Sequence, residues 1–342
     1  MRFVLLCSLP LLLGVGLSAD DLAPRVGVVE IYGARKVSLH KIRAALGVEE
    51  GSPLPASKGA IEEKLDKING IVASRLEAAC CVNGKTILYV GIQEKGAPHL
   101  EFRPEPDGDI TLPSEITDTY ANFLDSVDQS VRLGQTGESL NLGYSLMQNS
   151  AARKCQRDFI PLVAKYLEAV HRVIRTSHDS DQRSMAAYVL QYGPRGPHTS
   201  AEIVADLQYA LQDVDDTVRV NAIRALTAMY VGSKLHPEQH VSIQSTWFVE
   251  LLNSISWSDR HNASLALVDM TEDSDPETLQ LIRERALPSV IEMARWHDLR
   301  QALPAFILAG RLAGLSKQEI DAAWVGQDHE AVLKAALKKK PS

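Results

Sequence analysis

Asp215-Asp216-Thr217-Val218-Arg219-Val220-Asn221-Ala222-Ile223-Arg224-Ala225-Leu226 decides the architecture of this chain. An acid-bearing turn leads into a helix-periodic run with an arginine, then a small residue, then leucine. The same order recurs at Gln182-Arg183-Ser-Met-Ala186, Asp259-Arg260-His-Asn-Ala263 and Leu299-Arg300-Gln-Ala-Leu303. Seven residues after each arginine stand Leu190, Leu226, Leu267 and Ile307; six after stand Val189, Ala225, Ala266 and Phe306. The four arginines are 36, 41 and 40 residues apart, the period of a repeat built from helix pairs. Between them lie further apolar runs at helical spacing: Ile203, Leu207 and Leu211, then Phe248, Leu251, Leu252 and Ile255.

This pattern resembles a HEAT-repeat array over about residues 159–316. The resemblance implies stacked helix pairs that bury one continuous core and present an extended surface to a protein partner. It also implies structural roles. Arg183, Arg219, Arg260 and Arg300, each with the preceding aspartate, tie neighbouring units, and Ala186, Ala222 and Ala263 let helices approach. Pro304 is expected to kink the last unit, and Lys317 to Lys340 to form a terminal cap. Nearly everything from 114 to 342 is helix-periodic, so that span is read as one all-α domain.

In front of it, residues 24–95 read as strand, helix, helix, strand, strand. Val26 to Tyr32 is rich in β-branched residues, and Ser38 is placed to cap a helix carrying Ile42 and Leu46. A second helix carries Ile61, Leu65 and Ile68. Asn83-Gly84 then joins two strands as a two-residue hairpin turn. Alternation puts Val72, Ser74, Leu76, Ala78, Cys80 and Val82 on the inward face of the first arm. Arg75, Glu77, Ala79 and Cys81 are then outward, and a bond between the adjacent cysteines would break the strand geometry. The run Glu30-Ile-Tyr-Gly33, Ile42, Gly51-Ser-Pro-Leu54, Leu65, Asn69-Gly-Ile71 and Val90-Gly-Ile-Gln-Glu94 resembles a POTRA domain. In that order the strand from Val72 to Val82 lies at a sheet edge. It could take an added strand from a partner, with Arg75, Glu77, Ala79 and Cys81 as the partner-binding residues. No run of alternating strands follows that would make an outer-membrane barrel. The whole is a multidomain α+β chain: a β-α-α-β-β domain, a Pro-rich linker over 96–113 and an all-α HEAT-like solenoid. The linker is expected to carry a short hairpin of Leu100 to Arg103 against Ile110 to Leu112.

Gly33 stands alone between strand and helix, where a dinucleotide fingerprint needs several glycines; it turns a corner, and Arg35 and Lys36 are surface residues. His236-Pro-Glu-Gln-His240 has two histidines, but Glu238 is out of place for a zinc protease and Pro237 marks a loop. Ser38-Leu-His-Lys41 lacks the companion motifs of the penicillin-recognising enzymes. No catalytic or metal constellation is evident, and no cofactor is expected. The formal net charge of −7 over 342 residues argues against a nucleic-acid partner. Met1-Arg2, the uncharged run Phe3 to Leu17, and Ser18-Ala19 before Asp20 read as a signal peptide over 1–19, with no membrane span after its cleavage. Cys80, Cys81 and Cys155 then remain, an odd number that requires no disulfide. Together these readings describe an exported, non-catalytic adaptor in the periplasm or envelope of a diderm bacterium, its partner a protein or extended peptide. The alternatives are a metal-assisted enzyme on a helical-repeat scaffold, and a component of envelope protein secretion or assembly.

Overall fold

The structure, a computed structural model, describes residues 24–339 apart from Asn83 and Ser274, and leaves aside the side chains of Cys81 and Val82. The segment read as a signal peptide lies outside the described residues. The chain begins with β1 (Val26–Tyr32), α1 (Leu39–Leu46), α2 (Lys58–Asp66), β2 (Ile71–Val82) and β3 (Lys85–Glu94). The sheet order is β1-β3-β2, with β3 parallel to β1 and antiparallel to β2. Gly47 ends α1 in the left-handed region at φ 62°, and Gly84 makes the β2–β3 turn at φ 75°. Ser57 caps α2 through Ala60 N, whereas Ser38 stands at the start of α1 without a capping bond from its hydroxyl. Val26, Val29, Ile42, Leu46, Ile61, Leu65, Leu76 and Val90 form the core between this sheet and its two helices.

The other face of the sheet is buried too. Tyr32, Ala79, Ile87 and Tyr89 belong to the core of the helical body, and nine consecutive residues of β3 are buried. Covering both faces makes a strand continuously apolar rather than alternating. It also corrects the expected facing of β2: Ala79 is 7 % exposed, while Cys80, expected inward, is exposed. The ladder slips between Ala79 and Val82, which releases Cys80 from the inner face. Cys80 is disulfide-bonded, to a partner outside the described side chains, and Cys155 is a free thiol.

Residues 96–113 form no hairpin. They run as an extended strap on the helical body: Arg103 N donates to Gln212 O (2.8 Å), Gly108 N to Thr176 O (2.9 Å) and Leu112 N to Gln182 Oε1 (2.8 Å). Four prolines without N–H groups deprive this segment of the donors a hairpin ladder needs.

The helical body follows as α3 (Ser114–Arg132), a ribbon of β4 (Glu138–Ser139) and β5 (Leu146–Met147), then α4 (Ser150–Thr176), α5 (Ser180–Leu190), α6 (Pro197–Ala210) and α7 (Asp216–Leu235). Beyond these come α8 (Thr246–Leu251), α9 (Trp257–Met270), α10 (Pro276–Arg285), α11 (Leu287–Met293), α12 (Leu299–Ala313), α13 (Lys317–Val325) and α14 (His329–Lys338). Helices α5, α7, α9, α12 and α14 stack in series, while α4 packs on α6 and α8 on α10 in a second layer. This is a helical-repeat body with a small mixed sheet docked on it. Ala186, Ala222 and Ala263 are fully buried at the helix contacts. In the fourth unit, alignment on arginine is one residue out: Ala302, Ala305 and Phe306 are buried, while Leu303 and Ile307 are half-buried, so Leu299 holds the arginine position. Helix α12 runs unbroken through the buried Pro304. Non-helical backbone occurs instead in α4, at Tyr166 (φ −114°, ψ 20°), five residues after Pro161.

Candidate interaction surface

The repeat arginines form a buried ladder. Arg183 donates Nε and Nη2 to Asp213 (2.7 and 2.9 Å) and Nη1 to the carbonyls of Ser177 and His178. Arg219 donates Nε and Nη2 to Asp259 (3.0 and 2.7 Å) and Nη1 to the carbonyls of Asp213 and Val214. Each pair is a bidentate fork, the geometry that best matches guanidinium to carboxylate. The bonded acid belongs to the following unit, not to the turn just before the arginine. The preceding acids Asp179, Asp215 and Asp298 cap α5, α7 and α12. Arg300 bonds its own capping Asp298, with its side chain 70 % exposed.

The sheet docks on the turns that start α7, α9 and α12. Glu77 accepts from Trp257 N (2.7 Å) and Ser258 N (3.1 Å), placing a carboxylate at the N-terminus of α9. Arg75 pairs with Asp216. Tyr32 Oη donates to Ile255 O (2.7 Å), and Gly33 N to Glu292 Oε1 (2.9 Å). Glu30 accepts from His297 N and pairs with its Nδ1 (2.8 Å). Between these polar contacts Tyr89 stacks on Trp257 at 4.9 Å, and Tyr32 and Tyr89 tilt against Trp296. Of the four residues read as partner-binding, Arg75 and Glu77 are bonded within the chain, Ala79 is buried against the body, and Cys81's side chain lies outside those described.

The short stretch after Gly33 does bind an anion, from within. The amides of Arg35, Lys36 and Val37 converge on the carboxylate of Glu94 at 2.7–3.0 Å. Burial pushes the Glu94 carboxyl up, but the N–H donors of Val37, Lys36 and Arg35 outweigh it and hold it below the usual carboxylate range. The folded state therefore gives up this site's stabilisation as pH falls through that lowered value; the contribution is fully present above the unfolded value of about 4.3. Glu94→Gln is expected to cost about 1.5–3 kcal/mol at pH 7 and to flatten the stability profile below pH 5. Urea melts of both proteins from pH 3 to pH 7 check this; parallel profiles would contradict it.

His236 Nε2 meets Asn141 O (3.1 Å), its Nδ1 meets Glu238, and His240 sits at φ 51° beyond a single 3-10 turn. Among the described residues no three of His, Cys, Asp and Glu gather where an ion could be held. His171 is bonded through Nδ1 to the buried Asp206, whose hydrogen bond raises its pKa, but its Nε2 is buried without a partner. No hydroxyl or thiol is therefore in hydrogen-bond reach to be activated. Burial alone holds His261, stacked on Trp257, neutral down to about pH 4.

A groove of about 460 Å³ crosses α5, α7 and α9, lined also by Glu138 and Leu140. Its walls recur in register with the ladder. Tyr188, Arg224 and Leu265 each stand five residues after a repeat arginine, and Tyr192, Ala228 and Asp269 nine after. Arg224 is exposed and Leu265 is 44 % exposed. At the far end burial raises the Asp269 carboxyl, with Glu272 adding to it and Lys234 and Arg311 opposing. The sequence signal was present: a large or charged residue five positions after the arginine in three of the four units, Tyr188, Arg224 and Leu265. Attention to the buried positions passes over it.

Among the described residues no helix is long and apolar enough to cross a membrane. No known family's sequence profile matches the chain, and no curated protein matches it. Among solved structures it is similar to a designed armadillo repeat protein at 15% identity and a TM-score of 0.36, over 54% of this chain and 93% of that one. The repeat-like architecture rests on the serial stacking of α5, α7, α9, α12 and α14, and the chain is a helical repeat-like body with a small mixed sheet fixed to its turns.

Proposed function

We propose that this protein is an exported, non-catalytic scaffold of the cell envelope, a POTRA-like module joined to a HEAT-like array, which holds a protein partner along the groove of α5, α7 and α9. The groove carries the reading. It crosses three successive units and exposes Arg224 and Leu265 on a floor of core side chains, whereas Arg75 and Glu77 of β2 are held by the array. Repeat bodies recognise partners through such continuous surfaces. The β-α-α-β-β order supports the POTRA-like assignment, and the apolar run before Asp20 supports export. A second reading, a role in envelope secretion or assembly by strand addition, is favoured by the position of β2 at the sheet edge. There the main chain rather than the side chains would recruit the partner.

A photo-crosslinking residue placed at Leu265, at Ala78 on β2 and at Val325 (82 % exposed, on α13) separates the two. Crosslinking in envelope preparations is expected to give one discrete adduct from position 265 and none from 325. The same adduct from position 78 alone would move recognition to the sheet edge. N-terminal sequencing of the exported protein is expected to begin at Asp20 or Ala19; an intact Met1 in the cytoplasm would overturn the export assignment.

A further inference from the structure

Where sheet and array meet, a cavity of about 220 Å³ is lined from one side by Gly33, Arg35 and Ile92 and from the other by Asn253, Arg260 and Arg285. Arg260 is the third rung of the ladder and is buried to 3 % exposure. The first two rungs use all three guanidinium nitrogens, two of them on the carboxylate of the next unit. Arg260 has no such fork. Its Nε goes to Ser254 O (2.6 Å) and its Nη1 to a single oxygen of Glu292 (2.9 Å), whose other oxygen accepts from Gly33 N. Among the described residues its Nη2 makes no hydrogen bond, and it is not sealed from solvent. The guanidinium lies over the Tyr32 ring at 4.4 Å, which fixes its plane.

Across the cavity, Arg35 is exposed, and its guanidinium enters no ion pair among the described residues; only its backbone N–H is engaged, by Glu94. Two nearby acids are paired with cations, Glu292 with Arg260 and Glu250 with Arg285, while Glu284, which also lines the cavity, accepts from the Gln280 amide. Of the three arginines that line this space, Arg285 is taken up by Glu250, and the other two face it from opposite modules: Arg260 rigid and largely buried, Arg35 free to close over a ligand.

We propose that this cavity binds a small oxyanion, a carboxylate or a phosphate, between Arg260 and Arg35, so that the ligand bridges the sheet and the array. The site is separate from the groove and goes beyond the scaffold reading. Calorimetric titration of the full chain with inorganic phosphate, with N-acetylalanine and with its amide tests it. Saturable binding of phosphate or of N-acetylalanine, but not of the amide, is expected, and which of the two binds identifies the source of the oxyanion. Arg35→Gln, on the surface, is expected to melt like the wild type and to bind at least about tenfold more weakly. Arg260→Lys, which keeps the charge but loses Nη2, is expected to weaken binding as well. No binding of either anion, or equal binding by Arg35→Gln, would overturn the proposal.

Discussion

Replacing Arg219 by methionine is expected to lower the stability of the array by about 3–5 kcal/mol, because it leaves the fully buried Asp259 without its cation. Burial already raises the Asp259 carboxyl, with Arg219 pulling it back down. Without the arginine, the folded protein must protonate Asp259 or hold an uncompensated charge. A carboxyl whose folded pKa exceeds its unfolded value makes stability fall as pH rises through that window. The variant should therefore lose progressively more stability between pH 4 and pH 7, and urea melts followed by circular dichroism will show it. Exchanging both partners, Arg219→Met with Asp259→Leu, is expected to recover most of the loss, since a buried ion pair and a well-packed apolar pair are often equivalent. A single variant within about 1 kcal/mol of the wild type would mean that the ladder does not hold the units together.

Gly91→Ala is expected to lift the sheet off the array. A methyl group there would intrude on the Ile255 carbonyl oxygen and come within 2.8 Å of the carbonyl carbon and of Tyr32 Oη. None of these is a flexible chain end that can swing aside. The backbone of Gly91 itself suits any residue, so the sheet should tolerate alanine while the interface does not. Overpacking of this kind costs about 1–3 kcal/mol. Here it is opposed chiefly by the Tyr32–Ile255 hydrogen bond, the Glu77 cap and the aromatic stack. Trp257 and Trp296 should then become hydrated, shifting tryptophan emission to the red, and the 96–113 strap should become open to protease. Unchanged emission and proteolysis would show that the junction yields without undocking.

The repeat body was legible because its signal is local. An arginine, a small residue and an apolar pair at fixed helical offsets report burial within one helix, and Ala186, Ala222 and Ala263 sit at its contacts. The β-α-α-β-β order was legible for the same reason, through Asn83-Gly84 and the spacing of Ile42, Leu46, Ile61 and Leu65. The docking was not read, although Thr86-Ile-Leu-Tyr-Val-Gly-Ile-Gln-Glu94 carries its trace. So long a run without alternation marks a strand covered on both faces. The contacts that dock the sheet join residues 141 to 267 positions apart, beyond the reach of any periodicity. The ladder was half visible: the arginines are in the pattern, but their carboxylates lie 30 to 40 residues onward, so the nearer aspartates drew the assignment. In the groove, fixed outward offsets were available, yet only the fold shows that three of them line one channel.

The docked sheet also sets an order in time. A free-standing helical array can form unit by unit, each pair needing only its neighbour. Here Tyr32 must wait for Ile255, and Glu30 for His297, contacts spanning 223 and 267 residues. The first strand to be synthesised is among the last elements to reach its final neighbours, and until then the face bearing Tyr32, Ile87 and Tyr89 is wet. Long-range closure of this kind slows folding and prolongs the life of half-covered sheets. Once closed, it converts an open-ended stack into a loop, in which the fourth unit cannot open without also releasing the first strand.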